Sequence, residues 1–158
     1  MSNLPPELLH HLPHSDRSAP CEKLSDGTWA VAGTHALFLF DAEGPIGGAL
    51  WFEVQNARWE ADSRKLLVMW TDPGAKPLVV VTESENPRTF MARVKARLEA
   101  TMVAYKTRMA GDTQIVAQIR RGPEGLFSHV SADGPLDEKG LAAAETLEKE
   151  IRESVGLN

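Results

Sequence analysis

The chain has 158 residues, 42% of them hydrophobic and 25% charged, with a formal net charge of −5 at neutral pH. That length suits one domain with a core that needs no staples, and the composition excludes a disordered chain, a collagen-like fibre and a membrane span. A single cysteine excludes an intrachain disulfide framework and any multi-cysteine metal site.

Taken in chain order, residues 1–22 form an N-terminal segment. Leu4, Leu8, Leu9 and Leu12 follow near-helical spacing after Pro5 and Pro6, and Pro13 ends this short helix. The first basic residue is Arg17, so no secretory leader is read. The expectation is a cytoplasmic protein with Cys21 as a free, unreactive thiol. From Leu24 the apolar period becomes two. Asp26-Gly27 marks a turn, and strands are predicted over 29–33, 34–41, 50–54, 56–62, 65–70 and 77–82, with 43–48 as a loop. Ala57, Trp59 and Ala61 should share one face. Asn86-Pro87 then starts a long helix. Its apolar stripe is Phe90, Val94, Leu98, Met102, Tyr105 and Met109, and Ala110-Gly111-Asp112 stops it. A hairpin follows, 115–119 returning through 126–130 across Gly122-Pro123-Glu124-Gly125. Residues 136–155 form a final helix with Leu141, Ala144, Leu147, Ile151 and Val155 on one face. Strands cluster and helices follow them, which is the α+β pattern rather than βαβ.

Two phrases carry a resemblance. One is Asp26-Gly27-Thr28-Trp29-Ala30-Val31-Ala32-Gly33-Thr34-His35-Ala36-Leu37; the other is Ala57-Arg58-Trp59-Glu60 followed by Leu66-Leu67-Val68-Met69-Trp70. Together with the strand order they resemble the pleckstrin-homology-like superfold, a bent sheet or split barrel capped by one helix. They also resemble an uncharacterised family of small actinobacterial proteins. The resemblance implies a PH-like core over 23–110, a hairpin and helix over 111–158, and a single α+β domain over 23–158. It implies no activity and carries over no functional residues.

No catalytic, cofactor-binding or metal-ligating set emerges. His10, His11 and His14 form an HHxxH cluster, but Pro13 breaks the helix that would bring His10 and His14 together, and a solvated segment is the better reading. His35 and His129 read as surface or satisfied histidines. No Gly-x-Ser-x-Gly elbow and no glycine-rich phosphate loop is present. Trp51, Trp59 and Trp70 fall in strands, where aromatics mostly pack in the core; the alternative is a patch facing a ligand or partner.

Charge is the informative feature. Residues 1–86 hold 6 basic and 12 acidic residues (net −6), 87–121 hold 8 and 2 (net +6), and 122–158 hold 3 and 8 (net −5). The basic block comprises Arg88, Arg93, Lys95, Arg97, Lys106, Arg108, Arg120 and Arg121. Either the acidic C-terminal helix satisfies it, or it is a face for an anionic partner. The leading expectation is a non-catalytic binding or scaffolding module, with a protein as partner. Two further readings stand beside it. One is a small-molecule-binding protein or enzyme with a pocket at the mouth of the strand layer. The other is binding of an anionic lipid or nucleic-acid surface, with nucleic acid last because no aromatic interleaves the basic line. A strand edge or helix face left over after folding would serve a homo-oligomer.

Overall fold

The computed structural model describes residues 4–157 and is α+β, with three antiparallel sheets and two main helices. The chain divides into two compact units, Met1–Glu99 and Ala100–Asn158.

In the first unit, β1 (Cys21–Lys23), β2 (Trp29–Ala32), β3 (Ala36–Asp41) and β4 (Gly44–Leu50) form one meander. A second contains β5 (Val54–Glu60), β6 (Lys65–Trp70) and β7 (Leu78–Val81). A Leu24–Thr82 bridge, with Ser25 N donating to the Val81 carbonyl and Glu83 N to the Lys23 carbonyl, stitches β1 to the end of β7. Both sheets bury their inner faces in one core. It contains Ala30, Leu37, Leu39, Trp51, Val54, Leu66, Val68 and Val80, together with Phe90 and Val94 of α1 (Arg88–Thr101). The first sheet is covered outside as well. A 3-10 turn over Pro6–His11 brings Leu4, Leu8 and Leu12 onto Cys21, Val31 and Phe40. Residues 36–40 are therefore apolar in succession because the strand is buried on both sides, as in sheets covered on two faces.

Sequence and structure part at three places. The strand region holds seven strands rather than six: β1 and β4 were not anticipated, and residues 51–53 form a 3-10 turn instead of strand. β4 reads as a loop because it contains three glycines and a proline, all weak strand formers. It forms because β3 supplies the ladder, with a bulge at Leu39/Phe40. Pro45 is tolerated because β4 is the last strand of its sheet.

The long helix is the second correction. It ends at Thr101, and Met102–Ala110 is a strand, β8. A spacing of four residues fits one helix face and equally one strand face, so Tyr105 and Met109 satisfy both periods. Val103, Tyr105 and Thr107 are β-branched or aromatic, and a turn through Gly111 (φ 63°) sends the chain back as a partner strand.

The third difference is the hairpin, which is part of a three-stranded sheet. In the second unit β9 (Thr113–Gly122) is central, flanked by β8 and β10 (Gly125–Ala132). α2 (Glu138–Ser154) is capped by Asp137, whose side chain accepts from Gly140 N. It covers one sheet face, packing Leu147 and Ile151 on Ile115, Ala117 and Ile119.

Candidate binding surfaces

The eight basic residues do not lie along one helix. Arg88, Arg93, Lys95 and Arg97 are on α1, Lys106 and Arg108 on β8, and Arg120 and Arg121 on β9. Several have internal partners. Arg93 Nη2 donates to Thr34 Oγ1 (3.5 Å), and Thr34 in turn donates through N and Oγ1 to the buried Asp16 carboxylate (3.0 and 2.7 Å). This node ties the N-terminal segment to the β2–β3 turn. Lys95 sits 3.9 Å from Glu99 with both side chains well exposed, a pair of little energetic weight. Arg108 makes the contact anticipated from the acidic C-terminal helix: its Nη2 lies 2.9 Å from Glu150 Oε2, and that hydrogen bond holds the Glu150 carboxyl below its ordinary range. Arg120 is only 1% exposed and donates to Thr101 Oγ1 (2.9 Å); burial lowers its pKa. Arg88, Lys106 and Arg121 are exposed, whereas Arg97 is half-buried.

The tryptophans belong to the core of the first unit. Trp51 is buried, and its Nε1 donates to the Gly33 carbonyl (3.0 Å). Trp59 and Trp70 pack against the same core, and Trp70 Nε1 donates to the Lys76 carbonyl (2.8 Å). Trp70 also walls a cleft of about 270 Å³ on the β3–β4 side of the unit.

Among the described residues, no three of His, Cys, Asp and Glu converge as a metal site. The rings of His10 and His11 lie 4.0 Å apart, and His14 is exposed. Cys21 is buried, which pushes its thiol pKa up and makes the thiolate scarce. His129 is half-buried; burial, and secondarily Arg120, lower its pKa, with Glu148 opposing. Beside it, Ser128 Oγ donates to Glu148 Oε2 (2.7 Å) and accepts from Arg152 Nη1 (2.9 Å).

The feature the sequence reading missed is β8. It is a nine-residue edge strand. Ala104 and Ala110 pack toward α2, and Lys106 and Arg108 share that face by alternation. The opposite face carries Val103, Tyr105, Thr107 and Met109, with Tyr105 64% and Met109 59% exposed. The signal was present as Val-x-Tyr-x-Thr-x-Met alternation, hidden under the helical spacing.

No protein-family model matches the chain, and no curated protein matches it in sequence.

Proposed function

We propose that this protein is a non-catalytic, protein-binding module that receives an extended segment of its partner along β8. The single observation behind this reading is the state of that edge. Sheet edges are normally blunted by shortness, proline, bulges or charge, because their free N–H and C=O groups template pairing with another strand. β8 is long and proline-free, its bulge is confined to its start at Met102/Ala104, its charges Lys106 and Arg108 lie on the α2 side, and the opposite face exposes Val103, Tyr105 and Met109 beside Thr107. Such a strand suits β-augmentation, where main-chain hydrogen bonds supply affinity and alternate side chains supply selectivity.

The first unit is proposed to be PH-like and related to the small actinobacterial proteins its Trp29 and Trp59 phrases resemble. Two meanders stitched at Leu24–Thr82 and packed by α1 over a shared core support this. Binding of an anionic surface ranks below the protein-binding reading, since Arg93, Arg108 and Arg120 are engaged inside the fold.

The test is affinity purification from the native cell with the wild-type chain and with Tyr105→Lys/Met109→Lys. Both substitutions are at exposed positions and should leave the fold intact. The expected result is a partner retained by the wild type and lost from the double variant. A partner set identical for the two chains, or no partner for the wild type, overturns the proposal.

A further inference from the structure

A separate feature lies wholly within the first unit and owes nothing to β8. Between β3, β4, the 3-10 turn Trp51–Glu53 and β6 there is an open cleft of about 270 Å³. Its walls are Phe38, Leu50 and Trp70, and Glu53 stands among its lining residues. The indole of Trp70 is held by its hydrogen bond to the Lys76 carbonyl, so the ring is a fixed wall. The Glu53 side chain is exposed, and among the described residues no cation lies within ion-pair distance of it. An aromatic wall and an uncompensated carboxylate in one cleft form a receptor for an organic cation.

The third component is bare backbone. β4 is the last strand of its sheet, so one of its edges is unpaired. Gly47 and Gly48 line the cleft and present no side chain along that strand. A Cβ at Gly48 would strike the Leu37 carbonyl oxygen, so that glycine serves the β3–β4 approach. A Cβ at Gly47 would meet nothing within 4 Å, so the main chain there is uncovered. Glycine inside a strand commonly marks a place where another backbone comes close. The volume falls just below the roughly 300–1,000 Å³ of small-molecule sites and suits one long side chain better than a whole metabolite.

We infer that this cleft binds a basic side chain of an extended peptide, the cation between Trp70 and Glu53 and the peptide main chain along the free edge of β4.

The experiment is an NMR titration of the full ¹⁵N-labelled chain with three probes: acetyl-Val-Arg-Val-amide, acetyl-Val-Glu-Val-amide and N-acetylarginine amide. The arginine tripeptide should produce saturable shifts at the Gly47 and Gly48 amides and the Trp70 indole N–H. The glutamate tripeptide and N-acetylarginine amide should bind at least about tenfold more weakly. Glu53→Gln should weaken the arginine tripeptide by about five- to tenfold, the scale of one exposed charge-assisted contact. Absence of saturable shifts at these three groups, equal binding of the glutamate peptide, or indifference to Glu53→Gln overturns the assignment. N-acetylarginine amide binding as tightly as the tripeptide overturns the strand-pairing half.

Discussion

At the scale of single residues, Glu22 departs from what its type prefers. It is 4% exposed on β1, opposite Ala30 in the register, and its Oε1 has no hydrogen-bond partner. Burial raises its pKa. Between that raised pKa and the ordinary carboxylate range, the folded state holds a proton that the unfolded state has released. The burial cost is present at neutral pH and disappears as pH falls through the raised pKa toward about 4.3. Glu22→Gln should thus stabilise the chain at pH 7 by on the order of 1 kcal/mol. Denaturant melts of both proteins from pH 7 to 4 should converge at the acid end, and a gap that widens there would refute this account. Nothing in the Cys21-Glu22-Lys23 triplet signals burial: an acid between a cysteine and a lysine reads as surface. It is buried because β1 pairs β2 and places residue 22 on the same face as Leu24, which lies in the core. Asp16 is the satisfied counterpart, equally buried but accepting two hydrogen bonds from Thr34. Neither role is written locally, because the strand that buries Glu22 and the Thr34 that satisfies Asp16 both lie elsewhere in the chain.

At the scale of elements, local propensity served where it agreed with packing and misled where it did not. α2 was legible as a helix with Leu147 and Ile151 on its buried face, while its start, read at Leu136, lies at Glu138 behind the Asp137 cap. Leu141 is the exception, lying exposed although the spacing placed it on that stripe. β4 was illegible, because only contact with β3 makes a strand of Gly-Pro-Ile-Gly-Gly. Gly48 has φ 152°, and an added Cβ would meet the Leu37 carbonyl oxygen. Gly48→Ala should therefore cost at least about 2 kcal/mol in unfolding free energy. Thermal unfolding should show the loss, and a melting temperature within a degree of wild type would mean β4 is freer than described. The α1–β8 boundary failed for another reason. Alternation and the i,i+4 repeat coincide at Tyr105 and Met109, so the pattern there was degenerate. What decides it is β9, whose Ile115, Ala117 and Ile119 bury against α2 and which pairs with β8 along almost its whole length. That pairing also split the basic block between α1 and the sheet, so a single positive helix face never forms.

At the scale of the whole molecule, the described residues form three buried apolar clusters, two in the first unit and one in the second. All four tryptophans (Trp29, Trp51, Trp59 and Trp70) lie in the first unit, and the 17-residue helix α2 lies in the second. Leu147→Ala removes a fully buried side chain and should cost the second unit about 2–5 kcal/mol. Helical circular dichroism, to which α1 and α2 both contribute, should gain an early melting phase from α2 in this variant while the tryptophan-fluorescence midpoint stays in place. An equal shift of both signals would show one cooperative unit instead. Among the described residues no helix is long and apolar enough to cross a membrane. The sequence by itself determined the α+β class, the clustering of strands before α1, the C-terminal helix and the core placement of Trp51. These follow from composition, turn chemistry and short-range periodicity, all contained within windows of a few residues. Only the tertiary structure decided that Glu22, Asp16 and Arg120 are buried, that β4 is a strand and that Tyr105 and Met109 stand on an open sheet edge. Each depends on which distant strand lies alongside, and a hydrogen-bonded ladder is made by two segments, of which a local window reads one.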